Sequence, residues 1–447
     1  MDERVELLTE LVRRYSVPGA QLAVYERGVL TQVEVGLARA GGEPVAPDSL
    51  FPLGSVTKFV TATLVLQLVG DGDLELDEPV ATWLPELGGS PLGSATVRYL
   101  LSHTSGLPDM VGAEVRPGAS LRAHVLAGRG EELVCEPVKT FSYSNFGYVV
   151  AGYLVEQITG MKWPEAVRSF LLDPLGLPGG LLGEPGPVIT QHAVHLPTGA
   201  VQVVEPEVPL AVVPAGALTT TAAGLLTLAL PHCGAEPPET PILEPAQIEE
   251  MGRTIPGAEP FGLANAWGLG LAGFDGNWLG HDGNTGGATC TLRIHPGTGT
   301  AMVLMTNATS GRQMADRFLD ELAARGFGPG AYHVPDPGKP LSGAELRAEA
   351  AALTGRYRSG GRVIDVRAED SGELLLQQGH GGGSRLALYP NLVFQIAGKA
   401  GERTAPMESP EGLRGDEFTE YHRFLRTADG RVSGMQYAGG RVVAKTG

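Results

Sequence analysis

The sequence predicts an α+β fold in two parts, a larger mixed part followed by a small all-β part, and three observations carry that expectation. First, Ala20 to Tyr25 and Val29 to Val35 alternate around the turn Glu26-Arg27-Gly28, which reads as a β-hairpin. Second, strand-like runs return late, at Trp267 to Leu271, Ala288 to Ile294 and Ala301 to Thr306, with His295-Pro296-Gly297 turning between the last two. Helical patterns fill the interval, so one antiparallel sheet drawn from both ends of this part, with a helical subdomain, is expected. Third, Tyr332 to Pro340 carries three prolines and a glycine, a boundary composition, and short alternating runs follow it. The expected division is residues 1–331 and 332–447.

The elements can be justified in order. Val5, Leu7, Leu8, Leu11 and Val12 follow Asp2 and Glu3 as an amphipathic helix, which Val17-Pro18-Gly19 ends. From Ser55 to Val69 the apolar residues run almost all round, so this helix is expected in the interior. Further helices are expected at Val97 to Leu101, Tyr148 to Ile158, Trp163 to Leu171 and Ala222 to Leu230. After a short helix at Ala344 to Leu353, brief runs recur at Val363–Val366, Glu373–Gln377, Arg385–Tyr389, Leu392–Ile396, Tyr421–Leu425 and Val432–Tyr437. Short strands at such spacing make a sandwich or barrel.

Composition excludes several classes. At 447 residues, with 43% hydrophobic and 19% charged residues, the chain is expected to fold throughout. A net charge of -17 repels phosphate backbones and anionic headgroups, so neither nucleic acid nor a membrane surface is an expected partner. The N-terminus reads as neither a basic leader with an apolar core nor a membrane span, so a cytoplasmic location is expected. Cys135, Cys233 and Cys290 are scattered and lack metal or redox spacing, so buried inert thiols and no metal or other cofactor are expected.

Chemistry concentrates in a few segments. Ser55-Val56-Thr57-Lys58 sets a hydroxyl and an amine one helical turn apart on one face. A serine needs a base to become a nucleophile, and an amine desolvated by an apolar helix is neutral enough to serve. Taken alone, the motif reads more readily as an N-cap serine beside a solvated lysine. None of the other lysines follows a serine by three, however, and this one opens the most apolar helix. Phe141-Ser142-Tyr143-Ser144-Asn145 is a polar turn before a helix, either a simple cap or a second proton shuttle, Tyr143, with an amide donor, Asn145.

Together with Arg98-Tyr99-Leu100-Leu101-Ser102-His103-Thr104-Ser105-Gly106-Leu107-Pro108 and Pro214-Ala215-Gly216, these segments resemble the serine β-lactamase and penicillin-binding-protein superfamily, in its class C-like branch. The resemblance covers about the first three quarters of the chain. It implies Ser55 as nucleophile, Lys58 as base, Tyr143 as proton shuttle and a structural role for His103. Of two candidates for the third motif, Lys445-Thr446-Gly447 lies at the frayed chain end and is set aside. His281-Asp282-Gly283-Asn284 is preferred, with Asn284 supplying the second oxyanion N–H beside that of Ser55. Asp282 is expected to place a fixed negative charge there, which discourages substrates with a free carboxylate.

With no export signal, no carboxylate clamp and an added β part, the chain looks most similar to stand-alone penicillin-binding-protein-type thioesterases, which release nonribosomal peptides. That likeness implies a lipocalin-like C-terminal barrel and a peptidyl thioester on a carrier protein, or a small mimic of it, as substrate. A D-configured C-terminal residue would be loaded on Ser55 and released by head-to-tail macrolactamisation. His281 would line the site and assist the incoming amine. Arg441 would reach over the cleft to a peptide carbonyl, or else is an ordinary surface arginine. A cytosolic serine esterase or D-stereospecific aminopeptidase would use the same residues with water as acceptor, and a non-catalytic acyl sensor would stop at the adduct. Nothing in the sequence fixes ring size or oligomeric state.

Overall fold

A computed structural model describes residues 3–111, 118–205, 212–235, 241–379, 383–399 and 420–446. Met1, Asp2 and Gly447 lie outside the described residues. The early hairpin forms as expected, Gly19–Glu26 paired with Val29–Gly36. It joins the late strands in one seven-stranded sheet through pairing of Gly19–Glu26 with Thr300–Thr306, Ala20 opposite Thr306. The sheet continues through Thr289–His295, Trp278–Asn284 and Ala272–Phe274 to Ala266–Trp267 at its far edge. Gln21, buried in this sheet, donates to Ala46 O and accepts from Ala222 N, so both ends of its amide are paired.

One expected strand is corrected. Trp267 to Leu271 is strand only at Trp267, because Gly268 to Leu271 turn before the chain re-enters the sheet at Ala272. Gly270 has φ +75, and a Cβ there would lie 2.6 Å from Ala62 Cβ, so the turn presses directly on the Ser55 helix. The alternation of large and small residues came from this close approach and not from a pleat.

Two layers cover the sheet. The first helix, Glu3–Arg14, and a late one, Gly311–Ala324, pack Leu8, Leu11, Phe318 and Leu319 against one face. The helical subdomain covers the other with the largest cluster of buried residues. At its centre runs Thr57–Gly70, with 11 of 14 residues buried. It packs against Asn145–Thr159, which starts three residues before the expected Tyr148 because Ser144 caps it, accepting from Gly147 N at 3.0 Å. The stretch from Trp163 is a short α-helix to Val167 and then a π-helical turn, Arg168–Leu172.

After the helix Gly343–Leu353, eight antiparallel strands from Gly355–Ser359 to Arg441–Thr446 form a closed barrel around Tyr357, Leu374, Phe394 and Met435. The last strand closes on the first, Lys445 opposite Tyr357. Lys445 and Thr446 are therefore ladder residues and not a frayed end, and Lys445 Nζ donates to Ala352 O at 2.7 Å. Closure removes the exposed edges that a small sheet would otherwise present. No helix among the described residues is long and apolar enough to cross a membrane.

Candidate active site

Ser55 stands in a single 3-10 turn, Gly54–Val56, that runs straight into the helix Thr57–Gly70. The strand Trp278–Asn284 lies backbone to backbone against this turn. A Cβ on Gly54 would sit 2.7 Å from Asn284 N, and one on Gly283 would sit 2.0 Å from Leu53 O. Only glycine at both positions lets strand and turn touch, and that contact brings Asn284 beside Ser55. The N–H groups of Ser55 and Asn284 are thus the donors available for an oxyanion on a carbonyl attacked by Ser55.

Lys58 is fully buried, and its amine has three neighbours. Nζ lies 2.7 Å from Ala215 O, 2.8 Å from Asn145 Oδ1 and 3.3 Å from Ser55 Oγ. Burial pushes its pKa well below the usual lysine value, opposed by the charge of Asp109 and reinforced by that of Arg441. The neutral amine needed to take a proton from serine is therefore favoured. Tyr143 shares the cleft with Ser55, which acts on its phenol, and lies under Lys58, 4.9 Å from Nζ to its ring centroid. Burial pushes its phenol well above the usual tyrosine value, which keeps it protonated at rest.

Asn145 accepts from Lys58 and turns its amide nitrogen to Asp109 Oδ1, at 2.8 Å, so it positions the base and does not face a substrate carbonyl. His103 is structural: its Nδ1 accepts from Ser144 N at 3.0 Å and its ring stacks on Tyr143 at 4.2 Å. His281 lies 2% exposed with Trp267 at its ring edge. Its Nδ1 is 2.7 Å from Asp282 O, an acceptor only, so the proton sits on Nδ1 and Nε2 is left as a buried acceptor with no partner. Burial and then Lys58 push this imidazole down to about 3. It can therefore accept an N–H from a bound group, and it is not set to store a proton near neutrality.

Asp282 departs from the expectation of a free negative charge. Arg293, 2% exposed, holds both its oxygens at 2.9 and 3.0 Å, and Arg312 adds a contact at 3.2 Å. Burial pushes the carboxyl up, and the two guanidiniums more than reverse this, leaving it well below the ordinary range. Its charge is neutralised, so it gives no repulsion of carboxylates. Arg441 is likewise no ordinary surface residue: it bonds Asp109 Oδ2 at 2.7 Å, lies over the Tyr143 ring at 4.8 Å and lines the Ser55 cleft. Cys290 pairs with Gly283 across the sheet, and none of the three thiols lines the Ser55 cleft. Burial raises all of them, Cys135 up to about 12, although Cys135 is only partly buried.

The cleft holds about 110 Å³ between Ser55, Tyr143, Trp267, His281 and, from the barrel, Gly439 and Arg441. Sequence reasoning missed Asp109, Ala215 O, Arg293 and Arg312 here. Asp109 directly follows the Ser102 to Pro108 signature, and Ala215 lies in a segment already singled out, but neither has a spacing that announces its partner.

A family model described as Beta-lactamase matches residues 5–325. The chain belongs to the serine β-lactamase and penicillin-binding-protein family. Within this family of serine hydrolases and acyltransferases, penicillin-binding protein 4 of Amycolatopsis lactamdurans is 33% identical over 385 residues, 80% of this chain and 97% of that protein. The crystal structure of SurE superposes with a TM-score of 0.84 at 36% identity, covering 100% of this chain and 99% of that one, barrel included. A structure of SurE with D-Leu gives a TM-score of 0.82. The D-amino acid amidase of Ochrobactrum anthropi SV3 matches 73% of this chain and 99% of its own, with a TM-score of 0.61 at 25% identity.

Proposed function

We propose that the protein loads a peptidyl group from a thioester onto Ser55 and releases it by attack of the peptide's own amine, closing a macrolactam. The observation that carries this reading is the composition of the cleft: Gly439 and Arg441 of the barrel stand over the same space as Ser55, Tyr143 and His281. A roof that limits water favours an amine over hydrolysis, since both start from one ester. In this reading residues 1–331 supply the chemistry and 332–447 the substrate pocket.

The steps follow from the contacts. Ser55 Oγ attacks the thioester carbon as its proton passes to Lys58 Nζ, and the oxyanion faces the N–H groups of Ser55 and Asn284. The C–S bond then breaks, and the thiolate leaves with the proton relayed through Tyr143. In release, the amine nitrogen bonds to the ester carbon, with one N–H accepted by His281 Nε2. The C–O bond breaks, and the amine's proton returns through Tyr143 to Ser55 Oγ.

A D-configured residue at the acyl carbon is favoured by the likeness to SurE, solved with D-Leu, and to a D-amino acid amidase. Room for the rest of a peptide is favoured by a second cavity of about 480 Å³, which shares Phe274 and Arg312 with the cleft and extends past Tyr332 to Glu420. A carrier protein in the cytoplasm would deliver the thioester.

The test is turnover of a peptidyl N-acetylcysteamine thioester ending in a D-residue. A product lighter by one water than the linear acid supports cyclisation. Linear acid alone would replace it with a hydrolase, the reading that the amidase likeness favours, and a burst without steady state would make the protein an acyl sensor.

A further inference from the structure

A neutral lysine amine has two N–H bonds and one lone pair, and around Lys58 Nζ stand three groups that compete for them. Ala215 O, at 2.7 Å, can only accept, so it takes one N–H. The outcome then rests on which end of the Asn145 amide faces Nζ at 2.8 Å. With Oδ1 there, Asn145 takes the second N–H, and the lone pair is left for Ser55 Oγ–H at 3.3 Å. With Nδ2 there, the amide would donate into the lone pair, and Ser55 would lose its base.

The amide's orientation is set from behind. Asp109 Oδ1 receives Asn145 Nδ2 at 2.8 Å and the Asn145 backbone N–H at 3.1 Å. A carboxylate has no proton to give, so the amide nitrogen must turn to it and the oxygen to Lys58. The other carboxylate oxygen receives Arg441 Nε at 2.7 Å, from a strand 332 positions along the chain. We propose that Asp109 is the positioning residue that aims the Lys58 lone pair at Ser55, acting through Asn145, and that Arg441 of the barrel holds Asp109 in place and balances its charge. The inference rests on the Ser55–Lys58 reading of acylation and is independent of whether release is by amine or water.

The pair also carries a sign. A bare Asp109 carboxylate favours the Lys58 ammonium, and Arg441 opposes that effect, so the intact pair leaves the base available at lower pH than Asp109 alone would. Other charged groups face Arg441 too, Glu420 among them, and Glu420 interacts with Arg312 as well. Loss of Arg441 therefore exposes Lys58 chiefly to Asp109, the nearer carboxylate.

The experiment measures acylation of the full chain by a p-nitrophenyl ester across pH, for wild type, Asp109→Asn, Arg441→Gln and the double variant, with thermal melting alongside. Asp109→Asn keeps the shape but allows the neighbouring amide to flip, and is expected to slow acylation on the order of 100-fold. Arg441→Gln is expected to move the acid limb of the profile upward by about one pH unit, a tenfold loss below it. The double variant should lose little beyond Asp109→Asn, since Arg441 acts through Asp109. Acylation by Asp109→Asn within threefold of wild type, or equal losses at every pH in both single variants with no movement of the limb, would overturn the proposal. Labelling that persists in Ser55→Ala would instead remove the nucleophile assignment, so the two failures are distinguishable.

Discussion

Gly283→Ala tests whether the contact between the strand Trp278–Asn284 and the Ser55 turn builds the oxyanion site. An ideal Cβ at Gly283 would lie 2.0 Å from Leu53 O and 3.0 Å from both Ser55 N and Val56 N. Carbon and carbonyl oxygen come no closer than about 3.3 Å in close contacts, so strand and turn must part by about 1 Å. Both sides of the contact are backbone, so no side chain can swing away to absorb the change. The displaced groups are the two N–H donors, Ser55 and Asn284. A misplacement of that size in a catalytic array, or loss of one donor, lowers rate on the order of 100- to 1,000-fold, about 3–4 kcal/mol of transition-state stabilisation. Stopped-flow acylation by an aryl ester reads it directly. Gly286→Ala is the control, because its Cβ would meet only Val204 Cγ1, at 3.5 Å. Acylation by Gly283→Ala within threefold of wild type, with an unchanged melting temperature, would refute the reasoning.

Other outcomes follow from the same contacts. Ser55→Ala should abolish labelling by a fluorophosphonate while melting as wild type does, and label found on another residue counts against Ser55. Lys58→Arg should lose acylation at every pH, because a guanidinium keeps its proton; partial activity that rises with pH would contradict Lys58 as base. Tyr143→Phe removes the hydroxyl partner of Ser55 and should reduce turnover on the order of 100-fold or more, read as kcat for a thioester mimic. An effect under threefold would show that protons travel another way. Arg293→Met leaves the half-buried Asp282 with Arg312 alone and should cost about 3 kcal/mol in urea unfolding near neutrality. The carboxyl is held below its unfolded value, so the stabilisation is present above about pH 4 and fades as pH falls; a variant equal to wild type at pH 7 would sink this.

What the sequence disclosed, and what it hid, divide by the distance over which the physics acts. Ser55 and Lys58 were legible because a helix brings residues three apart onto one face, and Ser144 and Asn145 because a capping turn is a local device. The barrel was legible as short alternating runs. The Gly268 to Leu271 turn misled because glycine beside leucine mimics a pleat, whereas the cause is the approach of Gly270 to Ala62, some two hundred residues away. Asp282 misled for a related reason: one acidic letter carries a charge in the sequence, but Arg293 and Arg312 neutralise it in space.

The same argument explains why Arg441 could not be placed from the sequence and why it matters once placed. The barrel does not simply rest against the larger part: Gln436 Nε2 donates to Phe141 O at 2.8 Å, Val442 N to Ser142 Oγ at 3.1 Å, and Tyr143 N to Gly440 O at 3.3 Å. These bonds clamp Tyr143 and the two residues before it, and Arg441 reaches from the same hairpin to Asp109. Each joins residues about 300 positions apart, and none can form unless the barrel has closed and docked. In the proposed reading these strands therefore complete the acyl-transfer site, and a carboxylate that they hold aims the base of the nucleophile.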